Sequence, residues 1–151
     1  GETGAEPLTA LGRGCPSLSG APLDVSSHWF NPATSGTGYS VQMFPGYEFY
    51  AAFVYDGLGV PRFLVAERSG FGGAQATLPL EQLAGFCPLC ARTGTPSRRG
   101  IGTFTRRYAD GSFANITLEG LYASPVSGTW AANQTVQALG GAGSTQGCVL
   151  P

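Results

Sequence analysis

The stretch Tyr39-Ser40-Val41-Gln42-Met43-Phe44-Pro45-Gly46-Tyr47-Glu48-Phe49-Tyr50-Ala51-Ala52-Phe53-Val54-Tyr55-Asp56-Gly57-Leu58-Gly59 decides the fold. Tyr39, Val41 and Met43 alternate with Ser40 and Gln42, and a period of two belongs to pleated backbone. Pro45-Gly46 reads as a turn. Residues 47–55 then form a second strand in which both alternating sets are apolar. Phe49, Ala51, Phe53 and Tyr55 share one face; Tyr50, Ala52 and Val54 share the other. Such a strand is expected to be buried on both sides, or to line a cavity with one of them.

Asp56-Gly57-Leu58-Gly59 predicts a hairpin turn in which glycine supplies positive φ. Residues 60–67 follow as a third strand, with Phe63 and Val65 facing one way and Pro61 tolerated near its start. Further out, the pattern predicts strands at 75–80, 101–108 and 112–118, and shorter ones near 120–123, 128–132 and 135–139. Residues 81–99 interrupt it. Seven or eight strands on short loops predict an all-β fold, an antiparallel up-and-down barrel or a small sandwich. No segment of ~10 residues carries the 3.6-residue period of a helix. Residues 5–27, rich in Gly, Pro, Ser and Ala, read as an irregular arm, and 28–148 as a single β domain. Gly1-Glu2-Thr3-Gly4 resembles the tail left by vectors for secretion from mammalian cells and is set aside.

Composition agrees. The 151 residues fit one domain, and the 24 Gly and 11 Pro fall between apolar runs, where they read as turn residues. Charged residues are 11% of the chain and the net charge is −1. This balance favours neither nucleic acid nor an anionic membrane. No run of ~20 apolar residues encodes a transmembrane helix.

Cys15, Cys87, Cys90 and Cys148 form an even set, as expected of two disulfides in a secreted chain. Three pairings exist; Cys15 with Cys148 and Cys87 with Cys90 is favoured. A zinc site would need two close pairs, and only one is present. A redox Cys-x-x-Cys opens a helix in a βαβ unit, which the flanks of Cys87 and Cys90 do not suggest. No metal or other cofactor is expected. The compartment expected is secreted, periplasmic or cell-surface.

Trp29-Phe30-Asn31-Pro32 followed by Ser35-Gly36-x-Gly38, and then Tyr55-Asp56-Gly57-Leu58-Gly59-Val60-Pro61-Arg62-Phe63-Leu64, resembles a module of secreted proteobacterial proteins that often occurs in tandem. Its usual pattern is Trp-[Trp/Phe]-Asn-Pro-x-x-Ser-Gly-x-Gly, then Tyr-Asp-x-x-Gly-x-Pro-x-[Trp/Phe]-Leu. The pieces at Gly102-Thr103-Phe104 and Asp110-Gly111-Ser112-Phe113 look like its closing hairpin, so the similarity spans residues 28–118. Phe63 stands where Trp is common. The resemblance implies a bacterial, exported small barrel and carries no activity with it.

Catalytic constellations are sparse. His28 is the only histidine and reads as a packing or hydrogen-bonding residue rather than a base. Among the acids, Glu48 and Glu67 lie at strand ends and could approach one another as a glycosidase pair, against the plainer reading of solvated surface. Arg92, Arg98, Arg99, Arg106 and Arg107 place five of eight cations within 16 residues, which would suit an anionic partner or simply a soluble loop. Ten aromatics between Trp29 and Phe63 exceed what most cores need. The candidate ligand-binding residues are therefore Trp29, Tyr47, Tyr50, Arg98, Arg99, Arg106 and Arg107. The function expected is a binding module for a glycan, small ligand or protein, displaying Trp29 and Tyr side chains on an open concave face. A structural or assembly module is the alternative, and a hydrolase a weaker one.

Overall fold

The computed structural model describes residues 17–18, 20–22, 24–44, 46–85, 97–122 and 128–139. The four cysteines and Arg92 lie outside them. Among the described residues ten strands run in chain order: β1 Ser17–Leu18, β2 Ala21–Pro22, β3 Ser27–Phe30, β4 Gly38–Phe44, β5 Tyr47–Tyr55, β6 Pro61–Ser69, β7 Gln75–Ala84, β8 Ser97–Tyr108, β9 Phe113–Tyr122 and β10 Gly128–Ala138. β1 and β2 pair only with each other; β3 to β10 form a closed antiparallel barrel of eight strands. Closure comes from β10 meeting β3, with Gln137 opposite Phe30 and Ala138 opposite Trp29. Of the two architectures predicted, the barrel is the one formed; its closing seam is short, with two residues of β10 paired to β3.

Several predicted boundaries differ. Residues 120–122 extend β9, and 128–138 is one continuous strand rather than two. Its polar Asn133-Gln134 pair interrupts the apolar pattern, but Asn133 is outward and exposed, and inward Gln134 accepts from the Tyr39 hydroxyl at 2.7 Å. β7 and β8 also reach into the segment expected to break the pattern, to Ala84 and from Ser97.

The alternating faces sort cleanly. Tyr39, Val41, Tyr50, Leu64, Leu78 and Phe104 are among the side chains of a single interior core. Leu18 and Val25, from the segment before β3, also pack into it. Ile101 and Phe104 both point inward although they are three apart. A bulge explains this: Leu80 pairs with Gly102 and Glu81 with Gly100, so Ile101 is an extra residue that resets the phase. Gly102 and Gly120 face each other across β8 and β9. A Cβ on Gly102 would penetrate the Glu119 carbonyl, and one on Gly120 would sit 3.0 Å from the Ile101 carbonyl oxygen.

Outward residues of β7 to β10 include Thr77, Thr103, Asn115, Asn133 and Thr135, all exposed. On these four strands polar side chains face outward over an apolar interior. Among the described residues no helix is long and apolar enough to cross a membrane.

Candidate functional site

Three places in the barrel collect polar or aromatic side chains. The first is inside, near the mouth formed by the β4–β5, β6–β7 and β8–β9 turns. Arg106 and Glu48 are both fully buried there, with Nη2 to Oε2 at 2.7 Å. Arg106 also donates from Nε to the Tyr50 hydroxyl at 2.8 Å and from Nη1 to the Gly73 carbonyl at 2.5 Å. Tyr50 donates in turn to Glu48 at 2.5 Å, and the Gly72 N–H reaches the other carboxylate oxygen at 3.2 Å. The guanidinium lies 4.9 Å from the Phe71 ring centre and 5.2 Å from that of Tyr108. Glu48 also faces Arg68 at 3.5 Å, whose side chain is 41% exposed, so the cluster reads as a plug that closes this mouth with its outer end in solvent. Burial pushes the Tyr50 and Tyr108 hydroxyls well above the ordinary tyrosine range, so both stay protonated at neutral pH.

The second place is the opposite mouth, formed by the β3–β4 and β5–β6 connections. Both halves of the sequence motif meet here. Trp29 itself points toward the first place: it is 1% exposed, packs edge-on to Tyr108 with ring centres 5.5 Å apart, and donates from its indole nitrogen to the Val25 carbonyl at 3.0 Å. Asn31 caps a 3-10 turn at Pro32–Thr34 through the Ala33 N–H. Gly36 takes a φ of +95°, which L side chains rarely adopt. Asp56 accepts from the N–H groups of Leu58 and Val60, at 2.9 and 3.0 Å, and binds Arg62 through Nε and Nη2 at 3.1 and 2.7 Å. The hydrogen bonds from Val60, Arg62 and Leu58 hold its carboxyl below the ordinary value. Arg62 lies 5.2 Å above the ring of Tyr122, which packs 5.2 Å from Trp130. Apart from Trp29, the motif is thus a set of turn and packing devices around this mouth.

The third place is the outer face of β5 and β6. Phe53 and Phe63 oppose each other in register and stack with ring centres 6.0 Å apart at 24°. They are 50% and 45% exposed, and Tyr55 is 48% exposed. Ala51 and Val65, paired beside them, are buried on this same outer side. Gly36, Tyr55 and Pro61 join the two phenylalanines around an open groove of about 320 Å³. A second groove, about 450 Å³, runs from Phe63 to Leu83 and Ala84. It sits where the β6–β7 seam opens: only Leu64–Ala66 pair with Leu80–Gln82, leaving Pro61–Phe63 without a β7 partner. Outward aromatics were expected to be buried or to line a cavity; half of their surface instead faces solvent.

The predicted site residues are scattered. Trp29 and Tyr50 are inside the barrel and not on an open concave face. Their positions in the alternation match the core strands around them. Arg106 is likewise interior, while Arg107 is outward and exposed, because successive strand residues point to opposite faces. Arg98, on the outside, is not surrounded by free charge. It bridges Glu67 and Glu81, and Glu67 also accepts from the Tyr47 hydroxyl. Burial and this bond raise Tyr47 to about 12. Arg99 is exposed on β8. Glu48 and Glu67 do not converge: one is interior and paired with Arg106, the other outside and paired with Arg98. The solvated reading fails for Glu48 as well. His28 is exposed and sits opposite Ser40. Sequence reasoning missed Phe53, Tyr55, Phe63 and Tyr122. The signal for Phe53 and Tyr55 was present in the doubly apolar β5, and Phe63 stood in the same aromatic run and in the motif; nothing marked Tyr122. Among the described residues no group of His, Cys, Asp and Glu is arranged to hold a metal ion.

Comparison with known families, with curated proteins and with solved structures finds no match to this chain.

Proposed function

We propose that this chain is a recognition module that works outside the cytoplasm and binds a polypeptide segment on the outer aromatic face of β5 and β6. One observation carries the reading: the half-exposed Phe53–Phe63 stack, beside Tyr55 and Pro61, over an open groove. A water-soluble exterior rarely spends three large side chains on one solvent-facing patch without a partner. Aromatic anchors ringed by polar groups are what protein interfaces use. A polypeptide is favoured over a sugar because the patch offers rings and aliphatic surface with few convergent polar groups. The open β6–β7 seam adds strand backbone next to Phe63, which suits an extended segment laid along it. Tyr55, Pro61 and Phe63 also belong to the sequence motif, and Gly36 of its first half lines the same groove. The even cysteine count supports the compartment.

The test is a displayed library of random linear peptides panned on the wild-type protein. Clones are then scored against a Phe53→Ser, Phe63→Ser double variant whose circular dichroism matches wild type. Support is a set of enriched peptides with an aromatic or aliphatic anchor that lose binding to the double variant. Peptides that bind both proteins equally, or no enrichment at all, remove the reading and leave a structural module.

A further inference from the structure

We infer that the segment bound on the outer face of β5 and β6 carries a lysine or arginine beside its apolar anchor, met by the Glu67–Arg98–Glu81 cluster. This rests on the peptide-binding reading of that face and adds the chemistry of the partner. The face is uneven along its strands. Phe53, Tyr55, Pro61 and Phe63 fill one end. Along β6 the next outward residues are Val65, which is buried, and then Glu67. Glu81 lies opposite Val65 on β7. No other charged residue falls on the outward set of β5, β6 and β7.

Arg98 reaches this end from β8 and bridges both acids. One guanidinium does not balance two carboxylates, so one negative charge is left over. The groove of about 450 Å³ links the two ends, because Phe63 and Arg98 both line it. An apolar side chain lying in it therefore sits between the aromatic end and the charged one.

The surplus charge is open to solvent. The Glu67 and Glu81 side chains are each 26% exposed, and that of Arg98 is 44% exposed. Glu67 gives one oxygen to Arg98 and the other to the Tyr47 hydroxyl. Glu81 gives Oε2 to Arg98, and its Oε1 takes no hydrogen bond from the described residues. An ammonium or guanidinium can reach Oε1 without displacing Arg98. A carboxylate on the segment would instead face two acids for one base, a mismatch that selects against acidic partners. Phe63 and Glu67 are four residues apart on one strand, which is ~13 Å at the rise of an extended chain. With Glu81 opposite Val65, the basic residue falls about two to four positions from the anchor.

The experiment starts from random linear peptides panned on the wild-type protein and keeps those that lose binding to the Phe53→Ser, Phe63→Ser variant. An excess of Lys and Arg near the apolar anchor, relative to the unselected library, is expected. One such peptide is then synthesised with its basic residue kept, changed to Gln or changed to Glu. Each form is titrated by fluorescence anisotropy against wild type and against Glu81→Gln. The Gln form should bind wild type about two- to fivefold more weakly than the basic form, as for an exposed ion pair, and the Glu form more weakly still. The gap between basic and Gln forms should shrink against Glu81→Gln and at high salt. Glu119→Gln, at an exposed acid on β9, is the control and should leave the gap unchanged. No excess of basic residues, a Gln form that binds as tightly as the basic one, or a gap that persists in full against Glu81→Gln overturns the inference and leaves the recognition module standing. Failure to find any peptide that depends on Phe53 and Phe63 removes both.

Discussion

Arg106 and Glu48 meet inside the barrel at 2.7 Å, each with no solvent exposure. They come from β8 and β5, which are 58 residues apart in the chain at these positions. Curling of the sheet from β5 through β6 and β7 to β8 brings them together across the interior. The pair therefore reports on the assembly of these four strands.

Breaking that pair should be costly. Arg106→Met leaves the buried Glu48 carboxylate with only Arg68, at 3.5 Å, as ion partner, and the loss should approach the about 3–5 kcal/mol of a broken buried pair. Adding Glu48→Gln to Arg106→Met should recover a sizeable part, because no lone charge remains. Urea denaturation of the single and double variants measures both steps. A single variant as stable as wild type would show that the pair is solvated in solution.

Gly102 tests the β8–β9 contact. A Cβ there would overlap the Glu119 carbonyl and crowd Gly120, both backbone groups that cannot rotate away. Gly102→Ala should lose about 1–3 kcal/mol, the range for overpacking a close-packed site. Thermal unfolding reads it. Gly57→Ala, at a position with open space around its Cβ, is the control.

The interior tyrosines predict the alkaline limit. Tyr39, Tyr50, Tyr108 and Tyr122 all have their hydroxyls raised above 10.0, with burial the largest cause. A raised folded value means the stabilisation is complete below pH 10 and is lost as the pH climbs through about 12, where Tyr122 and Tyr47 ionise. Phenolate absorbance should rise for these residues together with loss of the β signal in circular dichroism. Normal titration of all six tyrosines in a still-folded protein would contradict the buried placement.

The acid limit follows from Asp56 and Glu67, whose carboxyls are both lowered. Asp56 is lowered first by the Val60 N–H and then by Arg62 and Leu58; Glu67 is lowered first by Tyr47 and then by Arg98. A depressed folded value gives stability that is present above the unfolded values of 3.8 and 4.5 and disappears as the pH falls through the folded ones. Asp56→Asn should therefore flatten the stability profile below pH 4 while lowering stability at neutral pH. Denaturant midpoints across that range, variant against wild type, show it.

Much of the fold was legible because period-two alternation is a local property. The limits of β5 were readable to the residue, and its neighbours were nearly so. What failed was non-local. No single strand says that Glu48 will find Arg106, or that Tyr50 will face the centre while Phe53 faces water. Both faces of β5 are apolar, and sequence alone does not say which is inside. Register and closure settle that. The arginine cluster looked like a surface feature because it is contiguous in sequence; strand alternation splits Arg106 from Arg107. The motif was readable as a pattern but not as geometry. Its glycines and Asp56 shape turns at one mouth, while Tyr55, Pro61 and Phe63 surround the groove on its outer side.

The most direct measurement is a chemical-shift map of the wild-type protein with a peptide selected from the library. The account predicts shifts concentrated at residues 53–55, 61–63 and 83–85, on the outside of β5, β6 and β7. Shifts centred on the Thr- and Asn-rich face of β8 to β10, with the Phe53–Phe63 neighbourhood silent, would contradict it.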